Sequence, residues 1–234
     1  MKIIIFLLLF AGQITSCLPQ TINYRELFGD AWLKAETFEK DNRVWMQPLL
    51  SANHISYPMA IAVVFPEFVR YSALRDKMEI TLLKALYINL GDVYANFSIG
   101  QFQMKPSFAE IIREQESSVM SRKSGINFQN SSGYSDIKDF RKSIVTDLEN
   151  PRTEINYLIV FLKICEKKYK TNRKGDISRL KFLATAYNYG IDKTEDQIEN
   201  MTDKKFFNTK LFKTENYSYS DVALFWYNHN RESK

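Results

Sequence analysis

The chain has 234 residues, of which 45% are hydrophobic, 14% aromatic and 25% charged, and its net charge is +5. This length and composition allow one large domain or two small ones with a substantial core, and they exclude a chain that is disordered by composition. The two His and two Cys exclude a framework of several disulfides and argue against a His/Cys zinc site, so we expect no metal and no cofactor. The charge is mild and spread along the chain, which does not favour nucleic-acid binding.

Residues 1–17 have the pattern of a secretory signal peptide. Lys2 is followed by eight apolar residues, Ile3 to Phe10, a run too short to cross a bilayer as a transmembrane helix. The segment Ile14–Cys17 resembles a bacterial lipobox, in which the Cys is lipid-modified; ordinary cleavage nearby is the alternative. We therefore expect an exported protein of the bacterial cell envelope. It would be either periplasmic or a membrane-anchored lipoprotein, held in the outer membrane through an acylated Cys17.

Residues 22–234 are predicted to form a single, mainly helical domain. Apolar residues recur with a helical period over most of this part, and Gly and Pro fall between the periodic stretches. The polar segment 121–135 is predicted to be a loop. Cys165 lies in an apolar run and is predicted to be a buried, unreactive thiol. The predicted helices are Tyr24–Glu39, Met59–Val69 (opened by Ser56 and Pro58), Asp76–Leu90, Pro106–Val119, Asp136–Leu148, Pro151–Lys170, Asp176–Tyr189 and Ser220–Asn228.

Three segments carry the motifs that bear on function. An apolar helix presents Glu67, the segment Ser98–Ser107 places Gln103 between a Gly and a Pro, and the segment Leu183–Gly190 contains Ala-Tyr-Asn-Tyr-Gly. Together, and in this order, they resemble the lytic transglycosylase (SLT-type) branch of the lysozyme-like superfamily over residues 56–190. The matching positions are Gly100, Gln103 and Pro106 in the second segment and Ala186, Tyr187, Asn188 and Gly190 in the third.

The resemblance is incomplete at several positions. The family usually has Ser directly after the Glu, where this chain has Phe68. Gln101 and Phe102 replace Leu and Met, and Lys105 replaces a second Met. The spacings between the three segments are also longer than is usual in the family. Extra helices or loops would accommodate the additional residues, because the entropic cost of closing a loop grows slowly with its length.

The resemblance implies a fold, a reaction and a set of site residues. The fold would be a lysozyme-like helical domain with at most a small β or loop region near Gly100–Pro106. Glu67 would act first as acid and then as base, cleaving the MurNAc–GlcNAc β-1,4 bond of peptidoglycan glycan strands without water and leaving 1,6-anhydro ends. Tyr187 would point its hydroxyl towards Glu67. The substrate-binding residues would be Gly100, Gln103, Tyr187 and Asn188.

The chemistry of Glu67 can also be argued from its neighbours. The surrounding Val and Phe residues partly desolvate the carboxyl and raise its pKa, which a general acid needs in order to stay protonated near neutral pH. Pro66 has no N–H for the carbonyl four residues earlier, so it is predicted to kink or end the helix and to expose Glu67. Arg70, three residues on, could instead pair with Glu67 and keep it ionised, in which case Glu67 is a structural residue.

The segment between Gly100 and Pro106 has two interpretations. A Gly permits close approach of the backbone to a sugar, and the Gln103 amide offers both a donor and an acceptor to hydroxyl or acetamido groups. Alternatively, the segment is a tight turn whose polar side chain faces water. That alternative explains the Gly and the Pro but not the Gln in particular.

Other functions remain open at the level of sequence. A hydrolytic muramidase needs a second carboxylate, for which Asp76 and Asp92 are the nearest candidates, and neither lies in an assignable motif. A non-catalytic cell-wall-binding or envelope-scaffold protein with a lysozyme-like fold is favoured by the Arg pairing, the absent Ser and the long spacings. A thiol hydrolase that uses Cys165 with His54 or His229 has no supporting motif.

Overall fold

The computed structural model describes residues 22–73, 77–121, 124–208 and 216–231. The predicted signal peptide with its candidate acylation site Cys17 lies outside the described residues, as does Asp76.

The described chain is mainly helical, which confirms that part of the predicted fold class. It contains ten α-helices and one two-stranded antiparallel sheet. The helices are α1 (Tyr24–Phe28), α2 (Asp30–Ala52), α3 (Tyr57–Ala73), α4 (Lys77–Leu90), α5 (Pro106–Val119), α6 (Ile137–Leu148), α7 (Pro151–Tyr169), α8 (Asp176–Tyr189), α9 (Glu195–Met201) and α10 (Tyr219–Asn230); the strands are β1 (Lys205–Phe207) and β2 (Tyr217–Ser218). None of these helices combines the length and the apolar character needed to span a bilayer.

Local signals fixed most helix boundaries. Helices α5 and α8 have the predicted bounds, and α3, α4, α6, α7 and α10 differ from the predictions by at most a few residues. Pro106 is the first residue of α5. The absence of an N–H costs nothing there, because the N–H groups of the first helical turn have no acceptor within the helix. Gly190 ends α8 with a φ of 141°, a conformation that residues with a Cβ rarely adopt.

Four details differ from the predictions. The first predicted helix is two helices, because Gly29 has the non-helical backbone angles φ 49° and ψ −122°. The second of them, α2, continues beyond the predicted end to Ala52. Pro66 does not end its helix, since α3 runs on to Ala73. Helix α9 was not predicted; a capping box at Thr194 starts it. The sheet was also missed, and near Gly100 there is only a single bridge.

The core is built around α3, which packs against α2, α8 and α10. Its residues from 60 to 65 have no exposed surface, so the helix is surrounded on all sides. The Phe65 ring lies between Trp32 of α2, at 4.7 Å, and Trp226 of α10, at 5.1 Å between ring centroids. Cys165 is fully buried in α7 as predicted, and burial raises the pKa of its thiol, which disfavours the reactive thiolate.

Candidate active site

The three motif segments meet at one cavity of about 350 Å³. Glu67 from α3, Gln103 from the turn before α5, and Tyr187 and Asn188 from the end of α8 all line it. The other lining residues are mostly polar or charged and include Arg70, Asn96, Ser98, Lys105, Asp192 and Lys193. Residues far apart in the sequence are therefore brought to one site, with Gly100 as the exception among the predicted catalytic and substrate-binding residues.

Glu67 is buried rather than exposed, so the predicted effect of Pro66 on its exposure is wrong. Only 2% of the residue is accessible to solvent. Arg70 donates from Nη1 to both carboxylate oxygens of Glu67, at 3.1 Å and 3.0 Å. The side-chain amide of Asn188 donates to Glu67 Oε1 at 3.2 Å. The carboxyl group is thus held by one cation and one amide at the wall of the cavity.

Opposing effects act on the protonation of Glu67. Burial raises its pKa above the ordinary value, because a low-dielectric environment disfavours the charged form. The positive charges of Arg70 and Lys105 and the hydrogen bond from Asn188 lower the pKa and offset part of this effect. Burial is the largest of these contributions, so the proton is held more tightly than by a carboxyl in water.

Arg70 is itself held in place by the end of β1. Its Nε donates to the backbone oxygen of Asn208 at 3.3 Å, and its guanidinium carbon lies 4.4 Å from the centroid of the Phe207 ring. The side chain is 22% exposed. Besides its pairing with Glu67, the Arg is therefore anchored by a hydrogen bond and a cation–π contact.

A buried carboxyl that sequence reasoning missed supports the turn at Gly100–Met104. Both oxygens of Glu154, in the first turn of α7, accept backbone N–H groups, from Gln101 and from Phe102, each at 3.0 Å. Glu154 has no exposed surface, and burial raises its pKa well above the ordinary value. An acidic residue in a first helical turn is ordinary in a sequence, so nothing local marked this role.

Gly100 has a packing role rather than a place at the cavity. Its φ is +74°, and a Cβ at this position would lie 2.0 Å from the backbone oxygen of Leu148 and 2.3 Å from Glu154 Oε1. A Gly is therefore required here because atoms of the protein itself occupy the space that a Cβ would need. The expectation that its backbone approaches a sugar finds no support in this arrangement.

Gln103 and Tyr187 both face the cavity, but their polar groups also hold the turn. Gln103 has a φ of 52°, and its side-chain amide donates to the Gly100 oxygen at 2.8 Å. The Tyr187 hydroxyl donates to the Phe102 oxygen at 2.9 Å. Burial, followed by the charge of Glu67, raises the pKa of Tyr187, so this hydroxyl stays neutral and close to the carboxyl group.

Phe68, which stands where the family has Ser, belongs to the core. It has no exposed surface, and its ring packs against Phe38 at 5.0 Å and Phe102 at 5.1 Å. The second of these contacts joins α3 directly to the turn. The polar contacts of Glu67 come instead from Arg70 and Asn188.

A second carboxylate lines the cavity, and it is neither of those considered from the sequence. Asp192, just after α8, lies at the wall and pairs with Lys193 at 2.6 Å. Within the described part of the chain, Asp92 is not among the lining residues. Asp192 lies two residues after the end of the Ala-Tyr-Asn-Tyr-Gly motif. This closeness in the sequence was the available signal for its place in the site.

Comparisons with known proteins add no assignment. No family model, no curated protein and no solved structure matches the chain. Among the described residues, no group of three or more His, Cys, Asp and Glu side chains is arranged to hold a metal ion. The geometry of the site therefore carries the functional argument.

Proposed function

We propose that this protein is a peptidoglycan lytic transglycosylase with a lysozyme-like helical fold and with Glu67 as its catalytic acid and base. One observation carries the proposal: Glu67 is 2% exposed, accepts a hydrogen bond from Asn188, and lines the same cavity as Gln103 and Tyr187. These are the residues on which the resemblance to the family rests. A buried carboxyl in a polar cavity also has the environment that a general acid requires.

The proposed reaction uses Glu67 twice. The protonated carboxyl gives its proton to the glycosidic oxygen as the bond from that oxygen to C1 of the muramic acid residue breaks. The resulting carboxylate then accepts the proton of the C6 hydroxyl of the same sugar as O6 bonds to C1. The products are a free 4-hydroxyl and a 1,6-anhydro end, no water is consumed, and Glu67 returns to its protonated form.

The cavity suits a sugar substrate. Its volume of about 350 Å³ falls in the range of small-molecule sites. Amide and hydroxyl side chains in its wall, from Asn96, Ser98, Gln103 and Asn188, match the hydroxyl and acetamido groups of peptidoglycan sugars. We further propose that residues 1–17 export the protein to the bacterial envelope and that an acylated Cys17 anchors it there.

Glu67→Gln tests the proposal because the amide keeps the shape of the carboxyl but cannot transfer its proton. We expect the release of 1,6-anhydro muropeptides from purified cell-wall sacculi, measured by mass spectrometry, to fall by about 10²–10⁴-fold. Glu39→Gln is a matched control, since Glu39 is also buried and paired with an Arg but lies outside the cavity. The assignment is wrong if folded Glu67→Gln protein retains full activity.

A hydrolytic muramidase is the second candidate, and Asp192 is the observation that favours it. A carboxylate in the same cavity as the acid could activate a water molecule or act as a nucleophile. The same mass analysis separates the two reactions, because a hydrolase leaves reducing ends that are heavier than 1,6-anhydro ends by one water.

The third candidate function is that of a non-catalytic cell-wall-binding protein or envelope scaffold. The pairing of Glu67 with Arg70 favours it. In that case wild-type protein would sediment with sacculi but would release no muropeptides of either kind.

A further inference from the structure

Arg70 is held beside Glu67 by contacts with three residues. Its Nη1 donates to both oxygens of Glu67, its Nε donates to the oxygen of Asn208, and its guanidinium lies over the Phe207 ring. Phe207 is fixed in turn, since it has no exposed surface and packs edge-on against Tyr219 at 5.1 Å. These contacts hold a positive charge within 3.1 Å of both oxygens of a buried carboxyl.

Among the described residues, few other charges act on Glu67. The titratable groups that act on it are Arg70 on α3, Lys105 before α5, Tyr187 on α8 and Tyr219 on α10, with Glu154 on α7 acting on Tyr187. Asp192 and Lys193 also line the cavity, and they pair with each other. Burial raises the pKa of both tyrosines well above the ordinary value, so they stay neutral. Lys105 is exposed, so water screens its charge. Among the described residues, Arg70 is therefore the main counter-charge of Glu67.

We propose that Arg70 is a positioning residue for the reaction, a fixed counter-charge that stabilises the carboxylate form of Glu67 and so allows the proton to leave and return. This inference rests on the proposed function. Burial alone would make the proton hard to remove, because it leaves the new carboxylate uncompensated. With Arg70 in place, the carboxylate formed in the first step is paired until it accepts the proton of the sugar hydroxyl.

The pH profile tests this role directly. Cleavage needs protonated Glu67, so kcat/KM falls as the pH rises through the pKa of this group. Removal of a positive charge at this distance raises that pKa, so in Arg70→Gln we expect the fall to move about 1–3 pH units towards alkaline pH. Arg70→Lys retains the charge and should keep the profile close to that of the wild type.

Arg43→Gln is the matched control. Arg43 pairs with buried Glu39 at 2.9 Å and lies over the Tyr57 ring at 5.3 Å, so it makes the same kinds of contact away from the cavity. A general loss of stability would affect both variants, but only Arg70→Gln should shift the pH profile. If Arg70→Gln does not fold, Arg70→Met keeps apolar packing on Phe207 without the charge and serves the same test.

A measurement without substrate separates failure of this inference from failure of the proposed function. The side-chain carboxyl carbon of Glu67 can be titrated by 13C NMR, with its signal identified by its absence in Glu67→Gln. We expect the titration midpoint to rise in Arg70→Gln and to stay near the wild-type value in Arg70→Lys. If wild-type protein cleaves no sacculi but the midpoint still moves, the proposed function fails and the electrostatic role of Arg70 stands.

Two results would overturn the inference. The first is an unchanged NMR midpoint and an unchanged pH profile in Arg70→Gln. The second is an increase in KM by the same factor at every pH with kcat unaltered, which would show that Arg70 binds substrate directly rather than acting through Glu67.

Discussion

At the scale of single residues, the turn before α5 depends on a carboxyl group that has no part in the proposed chemistry. Gln103 adopts a left-handed conformation without being a Gly, which costs energy that the surroundings must offset. Glu154 accepts the N–H groups of the two preceding residues, and the backbones of Ile99 and Met104 bond to each other at 2.9 Å and 3.0 Å. Gln103 is consequently held facing the cavity.

Glu154 should also make stability depend on pH. Its pKa in the folded protein is raised by burial above the ordinary value of 4.5, so the folded protein binds this proton more tightly than the unfolded chain does. The corresponding stability is fully present below that ordinary value and is lost as the pH rises through the folded-state pKa. We expect the wild-type free energy of unfolding, relative to that of Glu154→Gln, to decrease as pH rises. Denaturant titrations at several pH values provide the measurement.

The opposite trend in those titrations would be informative. An advantage of the wild type that grows with pH would mean that the two N–H donors outweigh burial. Glu154 would then be a carboxylate in the folded protein.

At the scale of elements, helix caps connect the sequence to the position of site residues. Asn150 caps α7 by accepting the N–H of Arg152 at 3.0 Å, and Pro151 is the first helical residue. This start sets the rotation of the helix and hence the direction of Glu154, one turn later. The cap at the start of α7 thus helps to orient a carboxyl whose partners lie far away in the sequence.

Substitution of the cap should weaken α7 measurably. Asn150→Ala leaves a helix N–H without its acceptor, and we expect the free energy of unfolding to fall by about 1 kcal/mol. Asn150→Asp is the control, because Asp caps helices as well as Asn does and its charge favours a helix N-terminus. Equal stability of the Ala variant and the wild type in urea denaturation would show that this cap contributes nothing.

At the scale of the whole molecule, Glu67 lies on α3, and helices from both ends of the described chain pack against α3. Helix α2, near one end, and α10, at the other, pack on α3 and meet through the rings of Trp32, Phe65 and Trp226. The Tyr219 hydroxyl adds a hydrogen bond of 3.0 Å to the backbone oxygen of Val63. The helix that carries Glu67 is therefore held in place by packing with both ends of the described chain.

Loss of the central ring should destabilise the whole fold. Phe65→Ala removes a fully buried side chain between two Trp rings, and we expect a loss of about 3–5 kcal/mol in the free energy of unfolding. Val44→Ala on α2 is the control; its side chain is 79% exposed, so the change should stay within about 0.5 kcal/mol. Calorimetry on both variants checks the expectation, which a small effect of Phe65→Ala would contradict.

The sequence by itself determined the features that depend on residues close together in the chain. Helical periodicity and the caps at Pro106, Pro151 and Gly190 predicted the mainly helical fold and most helix ends, because these signals act within one or two turns. The burial of Cys165 followed from the apolar run around it, and the three-residue spacing of Glu67 and Arg70 indicated their pairing as one of two alternatives.

Only the tertiary structure decided which distant groups meet. Glu154 bonds to residues 52 and 53 positions away, Tyr187 to a backbone oxygen 85 positions away, and Arg70 to one 138 positions away. Such pairings follow from the packing of whole helices, and no local pattern encodes them. For the same reason the sequence misplaced the role of Gly100, which depends on the elements that lie opposite it in the folded protein.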